Sequence, residues 1–411
     1  MSRPPREHVP EVPVDSSGTI AAKGDVPRNR LNDSMGSTKE HQWENFMISL
    51  RRVWSLGVVA AALLSTLLPV QPAGAKRPVQ FGINTYVVYS DCSNPDATAG
   101  LIKTAQTQMA AFRSLGANAV ALAFPIYVDS VTSGTVVSGC AASPPAPYIQ
   151  MTPSPVQLAA VADVAHAAGL AVRLRPLIDE TNFNRTRGIW RGVLQPSNRA
   201  TWFKSYTKVI MPYVTMAQAH GVEHFTLASE LDSLASDPAW WRIIAKVKQN
   251  YSGDLTNTAN WGTPLGQIPK PGTSFGLDAY LGLNPTTTGI TDSSTVKQLY
   301  RAWLTTEPAG PVPLHDTVID EVGISSSNGA YKAPYTWRFP KSAFNPTIQA
   351  NWFAMICKVV KTQRMEGVYF WGPWLYLRDG ALLTSNNATT AQDLQPAAQA
   401  VIRRCFGASA T

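Results

Sequence analysis

The chain has 411 residues, 45% of them hydrophobic and 15% charged, with 35 Lys and Arg against 27 Asp and Glu and a formal net charge of +8. The apolar content is enough for a packed core and excludes a disordered polymer. The basic excess contains no dense Lys/Arg run that could follow a phosphate backbone, which excludes nucleic acid as a partner. No period of about 20–50 residues recurs, which disfavours solenoids and propellers. Length alone leaves the domain count open, because an α/β barrel uses about 250 residues or more as one unit.

Residues 1–46 are rich in Pro, Ser and charge and too poor in large apolar side chains to offset chain entropy. They are expected to be a disordered leader, or a misassigned start with translation beginning at Met47. Residues 47–75 have the layout of a signal peptide: Arg51 and Arg52, the apolar run Val53 to Val70, then Ala73-Gly74-Ala75 before Lys76. Cleavage after Ala75 would leave 76–411 as a secreted or extracytoplasmic domain. If the segment is kept, residues 53–70 are near the lower limit for a membrane anchor and would be the chain's contact with a bilayer. The first 75 residues hold 8 basic and 7 acidic side chains, so +7 of the charge falls on the domain that follows.

From Gln80 onward, short apolar runs alternate with helical ones. Strands are expected at Gln80–Tyr86, Asn118–Phe124, Leu170–Ile178, Glu223–Ser229, Asp254–Trp261, Phe275–Tyr280, Thr317–Gly323 and Gly367–Gly372. Helices are expected at Ala97–Leu115, Pro155–Ala168, Arg199–His220, Pro238–Tyr251, Ser294–Thr305, Pro346–Arg364 and Ala391–Arg404, with a weak connection between the fifth and sixth strands. Gly116, Gly169 and Gly221 are helix stops. Alternation of this kind demands parallel pairing. Eight units fit a closed (β/α)8 TIM barrel of the α/β class better than a doubly wound sheet, which commonly uses five or six strands.

All four cysteines lie beyond the export segment, and an even number in an exported chain reads as disulfides. Of the three possible connectivities, the barrel topology favours one, Cys92 with Cys140 and Cys357 with Cys405. Cys92 and Cys140 fall in the loops after strands one and two, and Cys357 and Cys405 in the last two helices. No Cys-x-x-Cys or close Cys/His spacing supports a metal site, and no cofactor is expected.

Barrel enzymes draw their catalytic groups from the carboxyl ends of strands. There the sequence places Asp179-Glu180, Ser229-Glu230, Asp278 to Tyr280 and Asp320-Glu321. The ends of strands four and seven face each other across a barrel mouth, and each carries a glutamate. Two facing carboxylates can share retaining glycoside hydrolysis, one as nucleophile and the other as acid, then base. Glu321 has to be ionised to attack and needs donors such as Tyr280 and a nearby cation, for which Arg175 is the candidate. Glu230 has to carry a proton at the outset.

Ser229-Glu230, Glu321-Val322-Gly323 and Tyr369-Phe370-Trp371-Gly372 at strand ends resemble glycoside hydrolase clan A. The runs Arg175-Pro176-Leu177-Ile178-Asp179, Trp190-Arg191-Gly192 with Pro196, and Ala259-Asn260-Trp261 resemble family 113, over roughly Gln80 to Arg404. The resemblance implies a secreted retaining β-glycosidase acting on β-linked polysaccharide or oligosaccharide, chiefly β-mannan. It makes Glu230 the acid/base, Glu321 the nucleophile, Tyr280 the tyrosine that hydrogen-bonds the nucleophile, and Trp371 the floor under the sugar. The clan's usual Asn before the acid/base is Ser229 here, a shorter hydrogen-bonding group toward the substrate 2-hydroxyl. Trp190, Arg191, Asp179, Asn260 and Trp261 are expected to line the cleft.

Competing readings are weaker. Gly272-Thr273-Ser274-Phe275-Gly276 fits G-x-S-x-G, but a strand follows it where a nucleophile elbow needs a helix. His220 and His224 stand four apart, yet Gly221 separates them and no H-E-x-x-H occurs, so they are expected to be structural. A non-catalytic carbohydrate-binding barrel of the cell envelope is the alternative from another class, although a pure binder has no need of two facing carboxylates. A monomer is expected. Loops 125–154, 179–198 and 324–345 should shape the cleft.

Overall fold

Eight parallel strands close on themselves in chain order, β1 pairing with both β2 and β8. They are β1 Gln80–Tyr86, β2 Ala119–Tyr127, β3 Ala171–Asp179, β4 His224–Ser229, β5 Asp254–Asn260, β6 Ser274–Asp278, β7 Thr317–Val322 and β8 Gly367–Trp371. The computed structural model describes residues 78–88, 95–139, 152–179, 189–261, 274–306, 314–336, 338–373, 375, 390, 391 and 393–407. The expected leader, the signal segment with its apolar run, and Cys92 and Cys140 lie outside the described residues. Among those that are described, no helix is long and apolar enough to cross a membrane.

The long helices between strands are α1 Pro95–Ser114, α2 Pro155–Ala167, α3 Arg199–Ala219, α4 Ala239–Lys248, α5 Val296–Thr306, α6 Pro346–Gln363 and α7 Pro396–Phe406. Three of these helices begin on a side-chain cap. Ser154 and Gln157 form a reciprocal capping box at α2, while the Asn198 and Asn345 side chains accept from the first-turn amides of Thr201 and Thr347. The last helix begins at Pro396, five residues later than the sequence pattern suggests, because the proline supplies the first helical position and Gln395 is still extended. Strand β2 runs three residues further than expected, through Pro125, whose place opposite Leu177 of β3 continues the ladder to Tyr127.

Both faces of the sheet are covered, so the strands read as nearly continuous apolar runs. The outer layer packs large rings: Trp202, Trp240, Trp303 and Trp352 are completely buried. Cys357 and Cys405 join α6 to α7 by a disulfide with Cα atoms 5.9 Å apart, the pairing expected for these two.

The inside of the barrel is polar, and two stacked arginines from β3 organise it. In the lower layer Arg173 pairs with Asp320 at 3.1 Å and donates to Thr256 Oγ1 and Gln80 Oε1, with its guanidinium over the Tyr369 ring. Asp320 also accepts from Thr226 and Thr258. Ala119 and Ala121 on β2 and Gly276 on β6 leave the volume these groups need. A Cβ at Gly276 would stand 2.2 Å from Thr258 Oγ1 and 2.7 Å from Asp320 Oδ2. The upper layer is centred on Arg175 and opens at the barrel mouth.

Candidate active site

Three strands break their regular ladder where they deliver carboxylates to the mouth. The register shifts between Thr226 and Ala228 in β4, between Leu277 and Asp278 in β6, and between Ile319 and Val322 in β7. Strict alternation would send Asp320 and Glu321 to opposite faces of the sheet. The irregularity in β7 instead lets both contribute to the interior, Asp320 below and Glu321 above. Glu230 follows β4 with φ +55°, a left-handed conformation that costs a non-glycine residue of the order of 1 kcal/mol. Its amide is tied to Thr258 O at 3.1 Å, which holds the bend.

Arg175 is fully buried and divides its donors between the acids. Nη1 donates to Glu321 Oε2 at 3.0 Å and to the Asp320 carbonyl at 2.8 Å. Nη2 donates to both oxygens of Asp278 at 2.9 Å and to Ser229 Oγ at 3.2 Å. The other Glu321 oxygen accepts from the Tyr280 hydroxyl at 2.6 Å. Burial pushes the Glu321 carboxyl above the ordinary carboxylate range, and the charge of Glu230 adds to the rise. Arg175, the Tyr280 hydrogen bond and Arg191 oppose it. Asp278, buried in the same network, is pushed up further by desolvation despite the facing Arg175. The Tyr280 phenol is raised well above its usual range by burial and by Glu321, so it remains a donor.

Across the mouth, Arg191 is held at three points. Nε donates to Ile178 O at 2.7 Å, Nη2 to Asp179 Oδ1 at 3.2 Å and Nη1 to Glu230 Oε2 at 2.6 Å. Asp179 Oδ2 accepts from the Tyr86 hydroxyl at 2.5 Å. The two glutamate side chains are 13% and 11% exposed, a small opening from which each can meet a ligand.

Trp371 closes β8 beneath this opening, 6.1 Å between ring centroids from Tyr86 and packed with Ala123 and Leu177. Trp261 follows β5. Its ring stands edge-on to Tyr280 at 6.1 Å, and Asn260 holds its amide at 3.0 Å while reaching Asp232 with its own amide nitrogen. Trp190 is half-buried, folded so closely over Gly192 that a Cβ there would lie 2.3 Å from the indole. The eleven residues singled out in the sequence thus fall around one barrel mouth, with Ser229 turned toward Arg175.

Four more residues belong to the network. Asp278 and Asp320 stand among the strand-end carboxylates, and their use of the arginines is visible only in three dimensions. Asn84, whose amide reaches Asp320 O at 2.6 Å and whose oxygen faces Arg175, and Tyr86 alternate along β1. Their period-two spacing, shared with Gln80, is the signal the sequence offers.

The competing motifs do not reach the mouth. Ser274 begins β6 at the opposite end of the barrel, buried, with its hydroxyl on Glu366. His220 pairs with Asp163 at 2.9 Å and His224 with Asp254 at 3.4 Å. Among the described residues no group of three or more His, Cys, Asp or Glu side chains could hold a metal ion.

The model of Glycoside Hydrolase Family 113 matches residues 99–265, a span that contains Arg175, Asp179, Arg191, Glu230 and Trp261 and ends before Glu321. Among solved structures, a GH113 β-1,4-mannanase complex superposes with TM-score 0.61 at 17% identity, covering 81% of this chain and 100% of that one. The GH113 β-mannanase AaManA from Alicyclobacillus acidocaldarius, in complex with ManMIm, gives 0.60 at 20% identity, covering 81% and 98%. At these identities the structures speak for the barrel fold. A search of curated proteins found no match.

Proposed function

We propose that this chain, a glycoside hydrolase similar to family 113, cleaves β-linked polysaccharide of the β-mannan type with retention of configuration, as an exported monomer. The observation that carries the mechanism is the unequal support of the two glutamates. Glu321 is gripped by a buried cation and a phenol, one on each oxygen, whereas Glu230 is held through one oxygen by Arg191.

The chemistry follows from those partners. Arg175 and the Tyr280 hydroxyl stabilise Glu321 as a carboxylate despite its burial, which suits it to attack the anomeric carbon. Glu230, with Oε2 on Arg191, presents Oε1 to the glycosidic oxygen and delivers the proton that lets the aglycone depart. Once the glycosyl group is esterified to Glu321, the negative charge there is gone. Glu230, now ionised, takes a proton from the water that hydrolyses the ester. Trp371 offers an apolar face to sugar C–H groups. The Ser229 oxygen accepts from Arg175, which leaves its hydrogen to donate toward a sugar hydroxyl.

Incubating residues 76–411 with mannans, glucans, galactans and arabinans should release reducing sugar, with mannan the best substrate. In Glu321→Ala, azide should partly restore cleavage of an activated glycoside and yield the inverted glycosyl azide. Full activity in Glu321→Ala or Glu230→Ala would sink the assignment, and an exported protein beginning elsewhere than Lys76 would sink the proposed processing.

A further inference from the structure

We infer that Trp261 and Tyr335 form a sugar subsite on the leaving-group side of the cleft, so that the enzyme holds a carbohydrate unit beyond the scissile bond. The inference rests on the reading of Glu230 as the acid and adds to it a direction for the substrate.

The direction comes from strand order. A general acid must face the glycosidic oxygen that departs. Glu230 ends β4, and its amide is bonded to Thr258 of the neighbouring β5. Trp371 ends β8, between β7 and β1 and across the barrel from β4. The glycone ring therefore sits toward Trp371 and Tyr86, and the departing unit extends over the ends of β5 and β6. That is where Trp261 stands.

Tyr335 completes the surface. Its ring lies parallel to that of Trp261, 5.8 Å between centroids with 10° between planes, and the side chain is 60% exposed. Of the exposed large apolar side chains among the described residues, Val156, Trp241 and Tyr335, it is Tyr335 whose contacts lead to the nucleophile, through Trp261 and Tyr280 to Glu321. A water-exposed aromatic face continuous with a catalytic cleft is chemically matched to the C–H face of a pyranose ring.

The segment that carries Tyr335 is anchored. Tyr331 is buried against Trp352, its carbonyl accepts from Leu283 at 2.8 Å, and Thr336 closes a tight turn onto Ala333 O at 2.9 Å. The chain after β6 meets this segment so closely that a Cβ at Gly282 would stand 2.4 Å from Lys332 O. A ring fixed in advance loses little freedom when a sugar stacks on it, so the contact adds to affinity.

The test uses residues 76–411 with β-1,4-mannopentaose and β-mannosyl fluoride. The pentaose places a sugar on the leaving side, and the fluoride leaves that subsite empty. In Tyr335→Ala the ratio of kcat/KM for the pentaose to that for the fluoride should fall about tenfold, mainly through KM. Tyr335→Phe should restore most of it, because the ring and not the hydroxyl makes the contact. Trp241→Ala, which removes an exposed ring on α4, should leave the ratio unchanged. Calorimetric titration of mannopentaose and cellopentaose into Glu230→Gln, with and without Tyr335→Ala, reads the subsite without turnover, and Kd should rise about tenfold. An unchanged ratio together with an unchanged Kd overturns the inference, as does failure of Glu230→Gln to bind either pentaose. A wild-type protein that binds a pentaose through Tyr335 but cleaves nothing would overturn the proposed function instead.

Discussion

The two arginine layers inside the barrel are built from nearly the same parts and do different things. Arg173 and Arg175 lie two residues apart on β3, and their acidic partners Asp320 and Glu321 are adjacent on β7. In the lower layer both partners are fully sealed, and Asp320 is surrounded by donors from β3, β4 and β5. In the upper layer a single guanidinium serves two carboxylates, and one of them retains a small opening to the mouth. Closure makes the first pair a structural element. Sharing and partial exposure leave the second with a carboxylate that Arg175 and Tyr280 support and that still opens to the mouth, the properties asked of the proposed nucleophile.

The sharpest way to break this comparison is to remove each acid in turn. Glu321→Ala should lower turnover on the preferred polysaccharide by about 10⁴-fold, some 5.5 kcal/mol, while the denaturation midpoint moves little, because a destabilised buried charge is being deleted. Asp320→Ala should cost about 3–5 kcal/mol of stability in urea or guanidinium unfolding, because it leaves Arg173 buried without its counter-charge. If the two variants exchanged these phenotypes, the assignment of layers to roles would be wrong.

A smaller effect in the upper layer depends on pH. Because burial raises Glu321, activity should decline on the acid side while still above the ordinary carboxylate range, as the proposed nucleophile takes up a proton. For stability the sign is opposite. A carboxyl whose folded pKa lies above its unfolded value favours the fold at low pH, and that contribution is lost as pH rises through the folded value. Tyr280→Phe removes a hydrogen bond to the ionised form, so the acidic limb of kcat/KM should move up and kcat fall about 10- to 100-fold. An acidic limb that stayed in place would mean Tyr280 does not act on Glu321. The smallest expected change is Thr226→Val in the lower layer, which deletes one hydrogen bond to Asp320 and should cost about 1 kcal/mol of stability with kcat unaltered.

Much of this was legible in the residues. The alternation of apolar runs specified eight parallel strands, and strand-end position alone drew attention to Glu230 and Glu321. The serine of G-x-S-x-G and the His220/His224 pair were rejected from local context, and their positions in the fold agree. What could not be read was which neighbours the carboxylates use. Asp278 and Asp320 are each separated from their arginine by more than a hundred positions along the chain. The pairing of Arg175 with two acids depends on strands whose registers shift.

The sequence by itself determined the architecture, because binary pattern and helix stops act over a few residues and leave parallel pairing as the way to bury every strand on both faces. It also pointed to a chemical class for the site, since two glutamates at facing strand ends match the pair that glycoside hydrolysis uses. Tertiary structure alone decided the roles within the polar interior. Asp320 and Glu321 are neighbours of like charge in the chain, and a break in the β7 ladder places one in a closed layer and the other at the mouth. Burial, counter-charge and exposure, which distinguish a structural carboxylate from a nucleophile, are properties of that packing and not of either residue.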